Sequence, residues 1–206
     1  INGHYGEIFK AKDSAIITRR ALAINIVDQD SLYIHADTLI ATGPTEKRIL
    51  RGYYDVRVFK TDLSGKSDSL HLDQSTGLIK LHKLPLSRKE NQILTTSQKS
   101  AKNPILWFGK SQMSGDQIFL TSDMKTKKLD SLKILGNSWI IEKDSISETG
   151  YNQIKGGLLD GLFKEGKLRE IEVSKNTEVI YYMYSDEDNE LIGINKTTCS
   201  RLKMVK

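Results

Sequence analysis

The residues of this chain that can do chemistry are few and scattered. Four histidines are present, at His4, His35, His71 and His82. None has a partner four residues away or a nearby cysteine, as a zinc site on one element would need. They read as histidines on strand faces. The run Asp186-Glu187-Asp188-Asn189-Glu190 offers oxygen ligands to calcium, but it lacks the spacing and central glycine of a calcium loop. It reads as a solvated hairpin turn. Asp37, Asp68 and Asp116 recur in one context: each follows a small residue and precedes a polar–aliphatic pair. A catalytic carboxylate pair must converge on one substrate. Recurrence points instead to a structural role, accepting backbone N–H groups where a strand turns.

Other motifs are equally bland. There is no glycine-rich phosphate loop, nucleophile elbow or H-E-x-x-H pair. Gly156-Gly157 reads as a bulge or tight corner. Tyr181, Tyr182 and Tyr184 share one strand and suit cross-strand packing as well as ligand stacking. The lone Cys199 excludes an internal disulfide and a cysteine zinc site. The chain is therefore read as non-enzymatic, with no metal and no cofactor assigned.

Composition bounds the class. The 206 residues suit one large β domain or two small ones, and a hydrophobic content of 38% suggests a thin, elongated core. The formal charge is +5, with 31 basic residues spread among 26 acidic ones. Nucleic-acid binding would require a clustered basic stripe, and Lys125, Lys127 and Lys128 read as a hairpin turn. No apolar run approaches the length of a membrane helix. The chain starts at Ile1 with no signal-peptide pattern, so it reads as a mature or excised segment, a reading compatible with loss of a targeting signal.

The elements that must position these residues are strands. Period-two alternation runs through 32–36, 54–60, 69–73, 78–83, 117–121, 132–135, 170–173 and 179–184. Turn residues punctuate it at 42–44, 63–66, 74–77, 164–167 and 185–190. Ala21–Val27 suits a helical turn or a strand. Residues 85–104 are polar and read as a long flexible connection. No domain boundary is evident, so residues 1–206 read as a single β body.

A cassette is written more than once. Phe59 precedes Asp68 by the same interval at which Trp107 precedes Asp116, and Gln112-Met-Ser-Gly matches Gln153-Ile-Lys-Gly. Leu129, Leu132, Ile134 and Asn137 share their spacing with Leu168, Ile171, Val173 and Asn176. Such repeats indicate stacked β units that bury their apolar faces against neighbours. Alternate aliphatics define one apolar face: Leu70, Leu72, Ile79, Leu81, Ile118, Leu120, Leu132, Ile134, Ile171 and Val173. Lys80, Lys133, Glu170 and Glu172 mark the wet face.

An ordered series over roughly residues 30 to 206 resembles the OstA-like proteins of Bacteroidetes-type bacteria. It comprises ADTL at 36–39, VRVFKTDLSGKSDSL at 56–70, PILW at 104–107, SQMSGDQI at 111–118, YNQIKG at 151–156, GLFKEGKL at 161–168, NTEVIYY at 176–182 and LIGINK at 191–196. That family is related to the lipopolysaccharide-transport proteins LptA, LptC and the periplasmic part of LptD. The resemblance implies an open β-jelly-roll or β-taco, two antiparallel sheets folded into a V around an apolar trough. It implies a periplasmic location and a trough that shields the acyl chains of lipopolysaccharide or a related lipid, with the ten aliphatics above as its lining. It also implies edge-strand pairing with other Lpt-type proteins, or head-to-tail with further copies. Residues 1–27 are covered by no motif of the series and are expected to add N-terminal strands. The alternative open from the residues themselves is a filled scaffold that pairs edge strands with itself or with partners.

Overall fold

A computed structural model describes residues 1–27, 30–84, 102–147 and 149–205. The expected flexible connection at 85–104 lies mostly outside the described residues. The chain is all-β, and the described residues hold no α-helix. The strands are β1 (Tyr5–Phe9), β2 (Ser14–Val27), β3 (Asp30–Thr42), β4 (Ile49–Lys60), β5 (Leu63–Asp73), β6 (Leu78–His82) and β7 (Ile105–Phe108). They continue with β8 (Ser111–Ser114), β9 (Gln117–Ser122), β10 (Leu129–Lys143), β11 (Tyr151–Lys164), β12 (Lys167–Tyr184) and β13 (Leu191–Val205). Ala21–Val27 is strand rather than helix. Residues 63–66, expected to turn, open β5 instead, and the turn falls at Thr61-Asp62. The alternating burial of Leu63, Gly65 and Ser67 is the reason, because it continues the buried face of the strand.

Every pairing is antiparallel, and hydrogen bonding joins all thirteen strands in one sheet. At its centre β5, β6, β9, β10, β8 and β7 close a ring of pairings, with β4 to β1 added outside β5 and β11 to β13 outside β10. The ring arises because β6 and β7 lie end to end along one edge of β5, through 69–73 and 63–66, while β9 and β8 do the same along β10.

The long strands turn a corner near their middles. Register shifts fall at Thr18/Ala21, His35/Thr38, Tyr53/Val56, Leu135/Ser138, Lys155/Leu158 and Ser174/Thr177. Successive pairings therefore break at one level, and a bulge bends its strand. In β2, β4, β10 and β12 the corner is two residues with positive φ: Arg19-Arg20, Tyr54-Asp55, Gly136-Asn137 and Lys175-Asn176. Asparagine tolerates this left-handed region, which explains why Asn137 and Asn176 recur in the repeats. Gly156-Gly157 occupies the corner of β11, as its sequence suggested.

The corners divide the sheet into two arms. Arm one holds 21–27, 30–36, 56–60, 63–67, β7, β8, 138–143, 151–156, 177–184 and 191–199. Arm two holds the complementary halves with β6 and β9. Buried aliphatics of both arms form one core cluster. At the corner most buried residues are small, with Ala21, Ala36, Ser67, Ser138, Gly156 and Thr177 beside Val56. Farther out they become Ile34, Ile140 and Ile154 on arm one and Leu39, Leu70 and Ile118 on arm two. Beyond those, Phe108 of arm one meets Phe163 of arm two edge to face, with centroids 5.1 Å apart. Buried hydroxyls satisfy backbone carbonyls near the corner: Ser138 donates to Gly156 at 2.8 Å and Thr177 to Val173 at 3.2 Å.

Polar clasps hold the ends. Lys83 Nζ donates to Asp116 at 3.1 Å and to Asn103 at 3.2 Å, so both ends of the β6–β7 connection are tied at corner level. Asn137 also donates to Asp116, and the Leu84 N–H donates to Asp68. Both aspartates thus have structural roles, but only Asp68 accepts a backbone N–H in these bonds, whereas Asp116 accepts the side-chain donors Lys83 and Asn137. At the β10–β11 hairpin, buried Asp144 accepts from the Ile146 and Ser147 N–H groups, from Asn152 and from the Tyr184 hydroxyl at 2.6 Å. The Ser147 N–H and then the Tyr184 hydroxyl hold its carboxyl far below the ordinary carboxylate range.

Two predictions follow from this architecture. A Cβ at Gly115 would lie 2.9 Å from the Gly136 carbonyl oxygen and closer still to the Ile134 side chain. Gly115→Ala should therefore cost about 1–3 kcal/mol, read as a lowered denaturant midpoint. Asp144 has a depressed folded-state pKa, so its stabilisation is present above the ordinary carboxylate pKa and is lost as pH falls through the folded value. The stability difference between wild type and Asp144→Asn should be full at about pH 7 and smaller at about pH 2.5. A difference independent of pH would show that the carboxylate does not act through its charge.

Candidate functional site

The ten aliphatics expected to line a trough form two adjacent rows on the inner side of arm two. Leu70, Leu81, Ile118, Ile134 and Val173 make one row, with Leu159 of β11 completing it. Leu72, Ile79, Leu120, Leu132 and Ile171 make the next, with Gly161 between the last two. None of the ten is more than 7% exposed. The alternation that identified them therefore marks an inner face, and most of that face is packed by the chain's own side chains.

Leu72, Ile79 and Leu120 also border a cavity of about 500 Å³ at the rim farthest from the corner. Leu32 and Leu63 of arm one and Leu129 and Met124 of arm two complete its apolar lining. Lys60, Lys127, Gln74 and Asn25 give it a polar edge. Met124 and Lys127 come from the β9–β10 hairpin, whose turn is set by Asp123 accepting the Lys125 and Thr126 N–H groups at 2.9 and 2.6 Å. The lysine run is thus a turn, as read, and it also supplies one cation to the cavity. Leu63 was missed because 63–66 carries turn-forming residues. Leu32 and Leu129 lie within or beside alternating runs, so the sequence showed them as apolar without showing that they meet.

A second space, of about 640 Å³, lies at the N-terminal end between β1, β2 and β3. Ile1, Ile8, Phe9 and Ile17 supply its apolar part, and Glu7, Lys10, Asp13 and Arg48 surround it. β1 is exposed along its whole length. At the other end β13 pairs only with β12 among the described strands.

The remaining sequence candidates take structural places. His35 and His71 lie on outer faces, paired with Arg57 and Lys80 in register. His82 sits beside Ser69, and its Nδ1 is buried without a partner. Burial, and then Arg51, lowers the His71 pKa, while burial and then Lys80 lowers that of His82. The acidic run at 186–190 makes the β12–β13 turn, with Asn189 at φ 58° and its N–H bonded to the Ser185 carbonyl. Tyr184 serves the Asp144 clasp, and Tyr182 accepts no ring partner but donates its N–H to Asn152. Asp37 stays apart from Asp68 and Asp116 in function, since only the latter two tie the β6–β7 connection.

An apolar space with cations at its edge can shelter hydrocarbon and attract an anionic head. No helix of the described residues is long and apolar enough to cross a membrane. No known protein family matches the chain, and no curated protein is similar to it.

Proposed function

We propose that the chain is a non-enzymatic β-taco domain of the periplasm that shelters acyl chains of lipopolysaccharide or a related lipid during outer-membrane assembly, in the manner of OstA-like proteins. The observation that carries this reading is the cavity at the rim between the two arms, apolar within and cationic at its edge. The grading of inner side chains, small at the corner and aromatic at the rim, supports a V-shaped cross-section whose mouth is the natural place for cargo. Hydrocarbon would supply most of the affinity, because five sheltered methylenes contribute about 4 kcal/mol at about 0.8 each. An exposed lysine beside a phosphate adds only about 0–1 kcal/mol and sets orientation.

A second reading rests on a separate observation. β13 runs for fifteen residues with one side unpaired among the described strands, while β1 at the opposite end is short and exposed. Unpaired edges are templates for strand addition. A scaffold that joins end to end with copies of itself, or with Lpt-type partners, would use these edges without cargo.

The two are separable. Saturable binding of a fluorescent long-chain fatty acid, or of lipid A, is expected at micromolar concentration with a blue-shifted probe. Met124→Glu places a charge at the cavity on an exposed side chain and should weaken binding by about ten-fold, near 1.4 kcal/mol. Concentration-dependent oligomers in size-exclusion chromatography, unchanged by lipid and without any probe binding, would favour the scaffold and sink the cargo reading.

A further inference from the structure

The outer faces of the two arms differ in chemistry. Arm two carries Phe119 and Leu162 outside but is mainly charged and internally paired: Lys133 bridges Asp160 at 3.2 Å, Lys203 bridges Glu170 at 2.9 Å and Arg201 bridges Glu172 at 3.4 Å. Arm one carries apolar side chains on its outside as well as its inside. Tyr33 and Phe59, cross-strand neighbours with centroids 6.4 Å apart, are 40% and 57% exposed.

Strand register orders this surface. Phe59 faces Ser64, Ser64 faces Trp107, Trp107 faces Gln112, Gln112 faces Ile141 and Ile141 faces Gln153. Apolar and hydrogen-bonding side chains therefore alternate from strand to strand along a line perpendicular to the strands. Neighbouring strands lie about 4.8 Å apart, so the pattern repeats at about 9.6 Å. The Trp107 indole donates to Gln112 at 3.0 Å, which fixes the ring and leaves the Gln112 amide N–H groups as the donors that side chain can offer a ligand.

The line crosses a surface depression of about 400 Å³ lined by Trp107, Gln112, Ile141, Tyr151, Lys110 and Lys143, among others. Its lining includes two lysines and no carboxylate. Lys66 sits 5.7 Å from the Trp107 ring centroid. In the adjoining row Arg57 is ion-paired with Asp55 at 3.0 Å and Lys155 faces Glu178, which leaves Lys66, over Trp107, as the cation next to the line.

We infer that the outer face of arm one is a binding track for a linear anionic polysaccharide laid across the strands. A sugar chain presents apolar C–H faces and hydroxyls in turn, and a disaccharide repeat is close in length to the two-strand period. Aromatic and aliphatic positions take the C–H faces, Ser64 and Gln112 take hydroxyls, and the lysines take carboxylates or phosphates. This surface is on the side of the sheet opposite the lipid cavity and works independently of it.

The test uses the full chain with Trp139→Phe, which leaves Trp107 as the sole indole. Titration with a hexamer of galacturonate at low ionic strength should change Trp107 emission saturably. The exposed pair Lys110→Gln and Lys143→Gln should weaken binding by about ten-fold or more at an unchanged denaturant midpoint. A neutral cello-oligosaccharide should bind more weakly than the acid. The response should persist with a saturating fatty-acid probe present, so that failure here and failure of the lipid reading are told apart. The proposal is overturned by an unresponsive Trp107, by equal affinity in the lysine variant, by displacement with the fatty acid, or by tighter binding of oligothymidylate than of the acidic glycan.

Discussion

The corner is the constraint on which the rest of the structure depends. Long strands cross from one arm to the other at a common level, and pairing must survive that crossing. The chain meets the requirement by alternation. β2, β4, β10 and β12 bend through consecutive residues of positive φ, while β3 and β11 pass the corner without them. Left-handed backbone at a non-glycine residue costs about 1 kcal/mol or more, so the bends persist only because the packed arms over-determine them. Inside the bend alanine, glycine, serine and threonine predominate beside Val56, and the Ser138 and Thr177 hydroxyls pair with carbonyls there. Outside it, Asp68, Lys83, Asp116 and Asn137 tie adjacent strands and both ends of the β6–β7 connection.

Large buried side chains gather away from the corner. Two rows of leucine, isoleucine and valine fill the inner face of arm two, and Phe108 against Phe163 joins the arms near the rim. The rim cavity is left where leucines of both arms approach without filling the space.

Much of this was legible in the sequence because a strand declares its inner face by alternation. The ten aliphatics from Leu70 to Val173 were identified together, and they do share one face. The repeated Asn137 and Asn176 were visible, although only backbone geometry shows that the repeat encodes a bend. Two things were not legible. Alternation gives the side of a strand but not what lies across from it, so the meeting of Leu32 and Leu63 with Leu72 and Leu120 needed the fold. The rule of one wet face also failed on arm one, where ILWF at 105–108 and WII at 139–141 put apolar residues on both sides. Consecutive apolar residues were the available signal, and they broke the period-two pattern used to find strands.

Stability and binding are consequently encoded in different residues. Leu70, Ile118 and Ile134 are at most 1% exposed, and truncating any of them would cost about 2–5 kcal/mol through transfer and cavity terms. That is a large share of the about 5–15 kcal/mol by which a domain is stable. Substitution at such positions would therefore be read first as lost stability. Met124, Lys127 and Leu129 edge the same interior from partly or fully exposed positions, where a substitution alters the opening and spares the core. The groups that hold the bend and the groups that border the rim cavity thus lie at opposite ends of each arm.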